Sequence, residues 1–302
     1  MTAGPQQRPL AALAVRLVGV LALSTTVMLV KLCAERGVHL TEILFWRQFL
    51  TVPIALVWLG LAGNLAVLRT SRFSAHFGRA MLGMIAMVFA FGAVILLPLT
   101  EAQTLNFTVP IFATLLAMFL LGERIGKWRW SALALGFAGI MVITQPGDAA
   151  RIPLLGVGVG LAAAFMIALL SIIIKELNRT ERPITIVFWF AAFSSPLMAF
   201  TLPFFMTVHD PATWALLLAL GVCGGIGQIL LTVALRFGAV SSVVVMDYTG
   251  LIWATLYGWL LWDHLPPTST WAGAPLIVVA GLIIAWREHA LARERSALPV
   301  GT

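Results

Sequence analysis

Residues 97–143, LPLTEAQTLNFTVPIFATLLAMFLLGERIGKWRWSALALGFAGIMVI, return in altered form as residues 237–285, FGAVSSVVVMDYTGLIWATLYGWLLWDHLPPTSTWAGAPLIVVAGLIIA. In this pairing Leu120-Leu121-Gly122-Glu123 falls on Leu260-Leu261-Trp262-Asp263, Trp130 on Trp271 and Gly139 on Gly281. Farther upstream, Phe45-Trp46 matches Phe188-Trp189 and Lys31 matches Lys175. One apolar unit written twice makes two related halves. Halves that run in opposite directions through a bilayer can exchange inward-open and outward-open shapes at small net cost. The repeat therefore points to a carrier.

Composition agrees. Of 302 residues, 61% are hydrophobic and 10% charged, whereas a soluble domain carries roughly a quarter charged residues. Nearly every apolar run is long enough to cross about 30 Å of hydrocarbon, which takes about 20 residues. Length alone would allow two soluble domains, but the runs overrule that reading. The first of them, 10–34, has no small-residue cleavage site before or after it and is expected to be retained as a span. The net charge of +7 and pI near 10.4 come from Lys and Arg scattered through short loops, with no nucleic-acid motif. Cys33 and Cys223 sit in apolar runs without a CxxC pattern, and the five histidines lie far apart, so neither a disulfide nor a metal site is expected.

The fold class expected is an all-α membrane protein of about ten transmembrane helices in two inverted five-helix repeats. The spans read as 10–34, 40–62, 79–98, 100–121, 129–146, 153–176, 183–206, 212–235, 239–262 and 269–287. They group into a first repeat at 10–146, a second at 153–287, and a cytoplasmic tail at 288–302. With the N-terminus in the cytoplasm, that side collects 15 of the 19 Lys and Arg residues. Lys31, Arg36, Arg47 and Arg151 remain on the other side. By the positive-inside rule both termini are cytoplasmic. Five spans per half is an odd number, which forces the two halves to run antiparallel. No loop is long enough to fold alone. The segment Gly122-Glu123-Arg124-Ile125-Gly126-Lys127-Trp128 lacks P-loop spacing, so ATP-driven transport by this chain alone is not expected.

These residues resemble a known family. Pro98-Leu99-Thr100-Glu101-Ala102-Gln103-Thr104-Leu105-Asn106-Phe107-Thr108-Val109-Pro110, then Leu121-Gly122-Glu123-Arg124, Trp130 and Gly136-Phe137-Ala138-Gly139, resemble the EamA-type drug/metabolite transporter superfamily. So do Ala234-Leu235-Arg236-Phe237-Gly238-Ala239 and Tyr248-Thr249-Gly250-Leu251-Ile252-Trp253-Ala254 in the second half. The likeness covers essentially the whole chain, and the PLTEAQTLNFTVP stretch looks most like the branch holding S-adenosylmethionine and riboflavin carriers. The resemblance implies a ten-helix inverted-repeat carrier of a bacterial inner membrane. It also implies a central cavity lined by spans 1, 3, 4, 6, 8 and 9.

A charged side chain inside a span costs about 2.5–3.5 kcal/mol on insertion scales and reads first as functional. Asp247, the deepest acid, either binds a cationic cargo group or takes a proton, or else it has a structural partner. Tyr248 and Trp253 can stack on or hydrogen-bond a cargo, or simply be packed. Asn106, one turn before Pro110, either lines the site or satisfies backbone groups that the proline frees. Glu101 either faces the cargo or is solvated, and Gln228 either faces it or joins helices. Arg47, Glu42 and Lys31 form a gate or coupling set. In that set Arg47 pairs with Glu42 or Glu101, and Lys31 either joins it or snorkels to headgroups. The polar set is asymmetric between the halves, as a site for an asymmetric molecule requires.

The function expected is secondary transport of a small polar organic metabolite by alternating access, for S-adenosylmethionine, riboflavin or an amino-acid-like cargo. It is either coupled to protons through Asp247 or Glu101 or run by exchange. The partners are then a small-molecule substrate and the lipid bilayer, with no nucleic acid and no cofactor, and the chain is a monomer or weak dimer. The rival readings are a membrane-embedded enzyme, for which no acid/base cluster is visible, and a lipid-linked flippase.

Overall fold

The computed structural model describes residues 9–121, 127–144, 153–237 and 245–297. Glu123, the break expected at 145–148 and the first residues of the expected ninth span lie outside them. Every regular element described is helical: α1 Pro9–Glu35, α2 Leu40–Leu61, α3 Phe73–Leu96, α4 Leu99–Asn106, α5 Val109–Leu121, α6 Lys127–Thr144, α7 Leu154–Leu177, α8 Pro183–Ala199, α9 Leu202–Phe205, α10 Pro211–Phe237, α11 Thr249–Trp262 and α12 Thr268–Ala297. Short 3₁₀ turns occupy Leu65–Leu68 and Val245–Tyr248.

Among the described residues, seven segments are long and apolar enough to cross a membrane: Leu13–Glu35, Leu40–Leu61, Phe73–Leu96, Leu99–Phe119, Leu154–Leu177, Pro211–Ala234 and Thr268–Trp286. Two shorter apolar helices, Trp130–Ile143 and Pro183–Ala199, accompany them. The boundaries depart from the sequence reading at several places, among them the start of α3, six residues before the expected 79. The expected fourth span is two helices, α4 and α5. The expected seventh ends early, at Ala199, and is followed by the short α9. The last helix runs on to Ala297, because Arg287–Ala297 is built from strong helix formers that an apolar-length rule does not see.

Chain punctuation explains the ends. Gly37 and Gly63 turn the chain at φ +81° and +64°, where a Cβ is disfavoured. Pro183 opens α8 at its first position, where its missing N–H costs nothing. Asp263 ends α11 in the left-handed conformation at φ 49°, which a short polar side chain tolerates.

The packing follows a rule. α1 lies along α10 and α3 along α7; α2 packs on α10 and α3 on α8; α1 meets α11, while α4 and α5 meet α7. α2–α8, α4–α11 and α6–α12 pair directly. Number the helices of each half in order, so that α1, α2, α3, α4–α5 and α6 correspond to α7, α8, α10, α11 and α12. Exchanging the halves then turns each of these contacts into another of the set, or, for α2–α8, α4–α11 and α6–α12, into itself. Small residues permit the approach. A Cβ on Gly139 would lie 2.9 Å from the Gly273 carbonyl oxygen and one on Gly273 2.7 Å from that of Gly139, so the α6 and α12 backbones touch. The main core gathers Val30, Cys33, Ile43, Leu44, Leu97, Leu105, Leu217 and Leu220, so first-half helices and α10 share it.

Candidate functional site

The first half interrupts its fourth span, and the second half places a 3₁₀ turn at the matching position. In the first, Phe107 N–H donates to the Thr104 carbonyl (3.1 Å) and Thr108 N–H to Leu105 (3.0 Å), tightening the chain between α4 and α5. In the second, the 3₁₀ turn Val245–Tyr248 precedes α11. The repeat pairing that places Thr108 on Tyr248 puts the first residue of α5, Val109, on the first residue of α11, Thr249. Hydroxyls take the loosened carbonyls: Thr108 Oγ1 donates to Leu105 O and Thr249 Oγ1 to Met246 O, each at 2.6 Å. Asn106 does not perform that service. Its exposed side chain makes no hydrogen bond among the described residues. The break and the turn meet where the Phe107 and Tyr248 rings lie tilted against each other, with centroids 4.8 Å apart. Tyr248 also reaches α12, where its hydroxyl lies 2.5 Å from where a Gly281 Cβ would sit.

Asp247 has a partner that the sequence reading counted only as a topogenic charge. Arg16 of α1 grips it with both arms, Nε to Oδ1 at 2.7 Å and Nη2 to Oδ2 at 2.5 Å. Arg16 Nη1 also donates to the Leu231 carbonyl of α10 at 3.1 Å. Arg16 is nearly buried while the Asp247 side chain stays 37% exposed, so the carboxylate keeps an open side. Such bidentate pairs are strong and directional.

Around the breaks runs a polar seam between α1, α4 and α11. The Thr25 and Tyr257 hydroxyls are 2.8 Å apart. Gln103 Nε2 lies 2.9 Å from where a Cβ on Gly250 would be, with Ser24 Oγ beside it. Thr100 donates to Thr255 at 3.4 Å. Glu101 is buried rather than solvated: it accepts from Thr270 at 3.1 Å and faces His264 at 3.8 Å, with its second oxygen unpartnered. The Trp253 indole N–H is likewise buried without an acceptor. Gln228 is half-buried on α10, and its side chain makes no hydrogen bond among the described residues.

The three expected gate residues go to separate places. Lys31 turns inward instead of snorkelling: its ammonium donates to the Leu97 carbonyl at 2.6 Å and lies 5.8 Å from the Trp262 ring, capping the end of α3. Arg47 meets neither Glu42 nor Glu101. Its Nη1 donates to Gln48 Oε1 at 2.7 Å and touches Met87 Sδ at 3.5 Å, and Gln48 passes the contact on to Ser194 of α8 at 2.7 Å. Glu42 pairs with His209, 2.9 Å away, and beside them His39 stacks on Phe205 at 4.1 Å. This clasp joins the start of α2 to the approach to α10.

Its counterpart joins the start of α3 to the approach to α8. There His76 faces Glu181 at 3.8 Å, Thr70 donates to Glu181 at 2.6 Å, and Thr185 to the Val67 carbonyl at 2.8 Å. Exchanging the halves maps one clasp's elements onto the other's. Sequence reasoning passed over Arg16, His76, Glu181 and His209. The available signal was a charge inside an apolar run for Arg16; for the two clasps only the fold supplies it.

The model of the EamA-like transporter family matches residues 10–145 and 154–286. A riboflavin transporter of Rhizobium johnstonii is 35% identical over 260 residues, covering 83% of this chain and 82% of the relative. An S-adenosylmethionine uptake transporter of Rickettsia bellii is 27% identical over 250 residues, covering 83% and 85%. A solved crystal structure at 22% identity aligns with a TM-score of 0.62 over 93% of this chain and 98% of its own, a likeness of fold alone.

Proposed function

The chain belongs to the EamA-like transporter family, and on that premise we propose that it moves a small polar organic metabolite across a bacterial inner membrane by alternating access. A multi-span transporter relative rather than an enzyme is what the family and the named relatives make it. The finer reading rests on one observation, the break between α4 and α5 at Val109, which the repeat pairing sets opposite the 3₁₀ turn Val245–Tyr248 that carries Asp247. Interrupted helices near the bilayer midplane are where such carriers hold their cargo, because unwound backbone is tolerated only where it lines a cavity. The inverted arrangement of ten spans has support in the packing, which survives exchange of the halves.

In this reading Asp247 and Tyr248 form the centre of the site, with Asn106, Trp253, Gln228 and Glu101 around it. Asp247 takes the cationic or polar end of the cargo, and Arg16 competes with the cargo for it. The aromatic pair Phe107–Tyr248 offers a face for a planar group. The relatives' names make riboflavin and S-adenosylmethionine the first cargoes to try, with amino acids next. The clasps at Glu42–His209 and His76–Glu181 serve as gates, one at each end. Coupling runs either through a proton on a buried carboxylate or through exchange of one cargo for another.

The test is uptake of labelled riboflavin, S-adenosylmethionine and amino acids into proteoliposomes. One of these accumulates in vesicles carrying the native chain, and Asp247→Asn lowers its uptake about a hundredfold, the scale of losing a charge-assisted contact, while membrane expression is kept. Native-like kinetics in Asp247→Asn across pH removes the residue from the site. Lipid scrambling without cargo uptake removes the carrier reading.

A further inference from the structure

Two arginines lie inside the bundle with no acid to answer them. Arg47 on α2 and Arg79 on α3 are 8% and 6% exposed. Among the described residues neither has an ion-pair partner. Nε of Arg47, and Nε and Nη1 of Arg79, are buried with no acceptor. Arg79 lies flat over the Phe190 ring at 3.9 Å and Arg47 over Phe91 at 5.6 Å; ring faces temper the charge but leave in-plane N–H groups unmatched.

The direction of Arg79 is the telling feature. It stands six residues into α3, roughly 9 Å from the helix start, and side chains on a helix lean toward its N-terminus. A basic residue so placed would ordinarily snorkel outward. Instead its Nη1 lies 3.2 Å from where a Cβ on Gly83 would be, one turn deeper, and the absence of a side chain there makes the room. Arg47 touches Met87, one turn deeper again on the same helix. The two guanidinium groups therefore face neighbouring turns of α3, about 6 Å apart along its axis, and like charges so placed repel.

We propose that Arg47 and Arg79 jointly bind one oxyanion, a carboxylate or phosphate group, where α2 and α3 meet α8 and α10; Arg47 Nε lies 3.4 Å from where a Cβ on Gly224 of α10 would sit. The anion supplies acceptors for the leftover N–H groups and offsets the repulsion, in the bidentate fashion that guanidinium favours. Resting on the carrier reading above, this site takes the acidic end of a cargo whose cationic end belongs to Asp247, which narrows the substrate class to zwitterions and acids. An anionic lipid headgroup offers the same chemistry, and the experiment separates the two sources.

The full chain, purified in neutral detergent, is titrated with sodium phosphate and with sodium acetate against sodium chloride of equal ionic strength, and its thermal midpoint is followed. The midpoint rises saturably with phosphate or acetate and not with chloride. In Arg47→Gln and Arg79→Gln the apparent dissociation constant is about tenfold or more higher. The anion-free variants are at least as stable as the native chain, since a buried uncompensated charge has been removed. Arg79→Met, which keeps packing against Phe190, replaces any Gln variant that does not fold. In nanodiscs, an arginine-dependent rise with phosphatidylglycerol over phosphatidylcholine, with no further response to phosphate, assigns the anion to a headgroup. A response to soluble anions that persists in phosphatidylglycerol assigns it to cargo. No anion-specific rise in the native chain, or the same rise in the double Gln variant, overturns the proposal. Binding is read here without cargo movement, so failure of this site and failure of the carrier reading give different results.

Discussion

Asp210 stands just ahead of α10, where its Oδ1 accepts from both the hydroxyl and the amide of Thr213. The Thr213 hydroxyl, foremost, holds the carboxyl below the ordinary carboxylate range, with Arg36 nearby helping. A carboxyl depressed on folding adds stability above its unfolded value, near pH 4, and loses it as pH falls through the lower folded value. Asp210→Ala should therefore lower the thermal midpoint by a constant amount between pH 5 and 8. The gap should narrow below about pH 4, and an undiminished gap at pH 3 refutes the assignment. Single residues were legible in the sequence mainly by type. Asp247 announced itself as an acid in an apolar run, yet its partner Arg16 is 231 positions away. Nothing in either stretch says that they meet. Lys31 was misjudged for the same reason: headgroups are the default partner for a terminal lysine, and a helix end with a free carbonyl is visible only once α1 and α3 are packed.

At the scale of the element, the α4–α5 interruption is local in origin. Pro110 has no N–H for the Asn106 carbonyl, and Thr108 and Thr114 close on nearby carbonyls at 2.6 and 2.9 Å. Pro110→Ala restores a donor and favours one continuous helix. Its expected outcome is unchanged or higher thermal stability together with a loss of cargo uptake of about tenfold or more, the loss expected when a site is displaced by about an ångström. Full uptake with a straightened helix would separate the break from the site. The sequence carried the proline and the apolar length, and the two signals compete; length favoured one unbroken helix, and the backbone divides that single span into two helices. The matching position in the second half is Gly250, not proline, so the Val245–Tyr248 turn was not legible from punctuation at all. Glycines four apart on α7 let it approach closely: Cβ atoms on Gly156 and Gly160 would lie 2.6 and 2.8 Å from Leu97 and Leu105.

For the whole molecule, the charge distribution makes one claim that is easily checked. Cysteines placed between Arg69 and Arg79 should react with a permeant maleimide and resist an impermeant one in intact cells; labelling by the impermeant reagent reverses the orientation. Repetition in the sequence foretold that two related halves exist, and the permutation of helix contacts agrees with it. What it could not foretell is that α1 spends its longest contact on α10 and α3 on α7, because partner choice depends on three-dimensional fit rather than on apolar periodicity. The two histidine–glutamate clasps carry this further. Each joins corresponding elements, yet one is drawn to 2.9 Å and the other relaxed to 3.8 Å. Under the alternating-access reading proposed above, these two fasteners hold opposite tilts of one molecule. A ligand then tips it only by the difference in its affinity for the two.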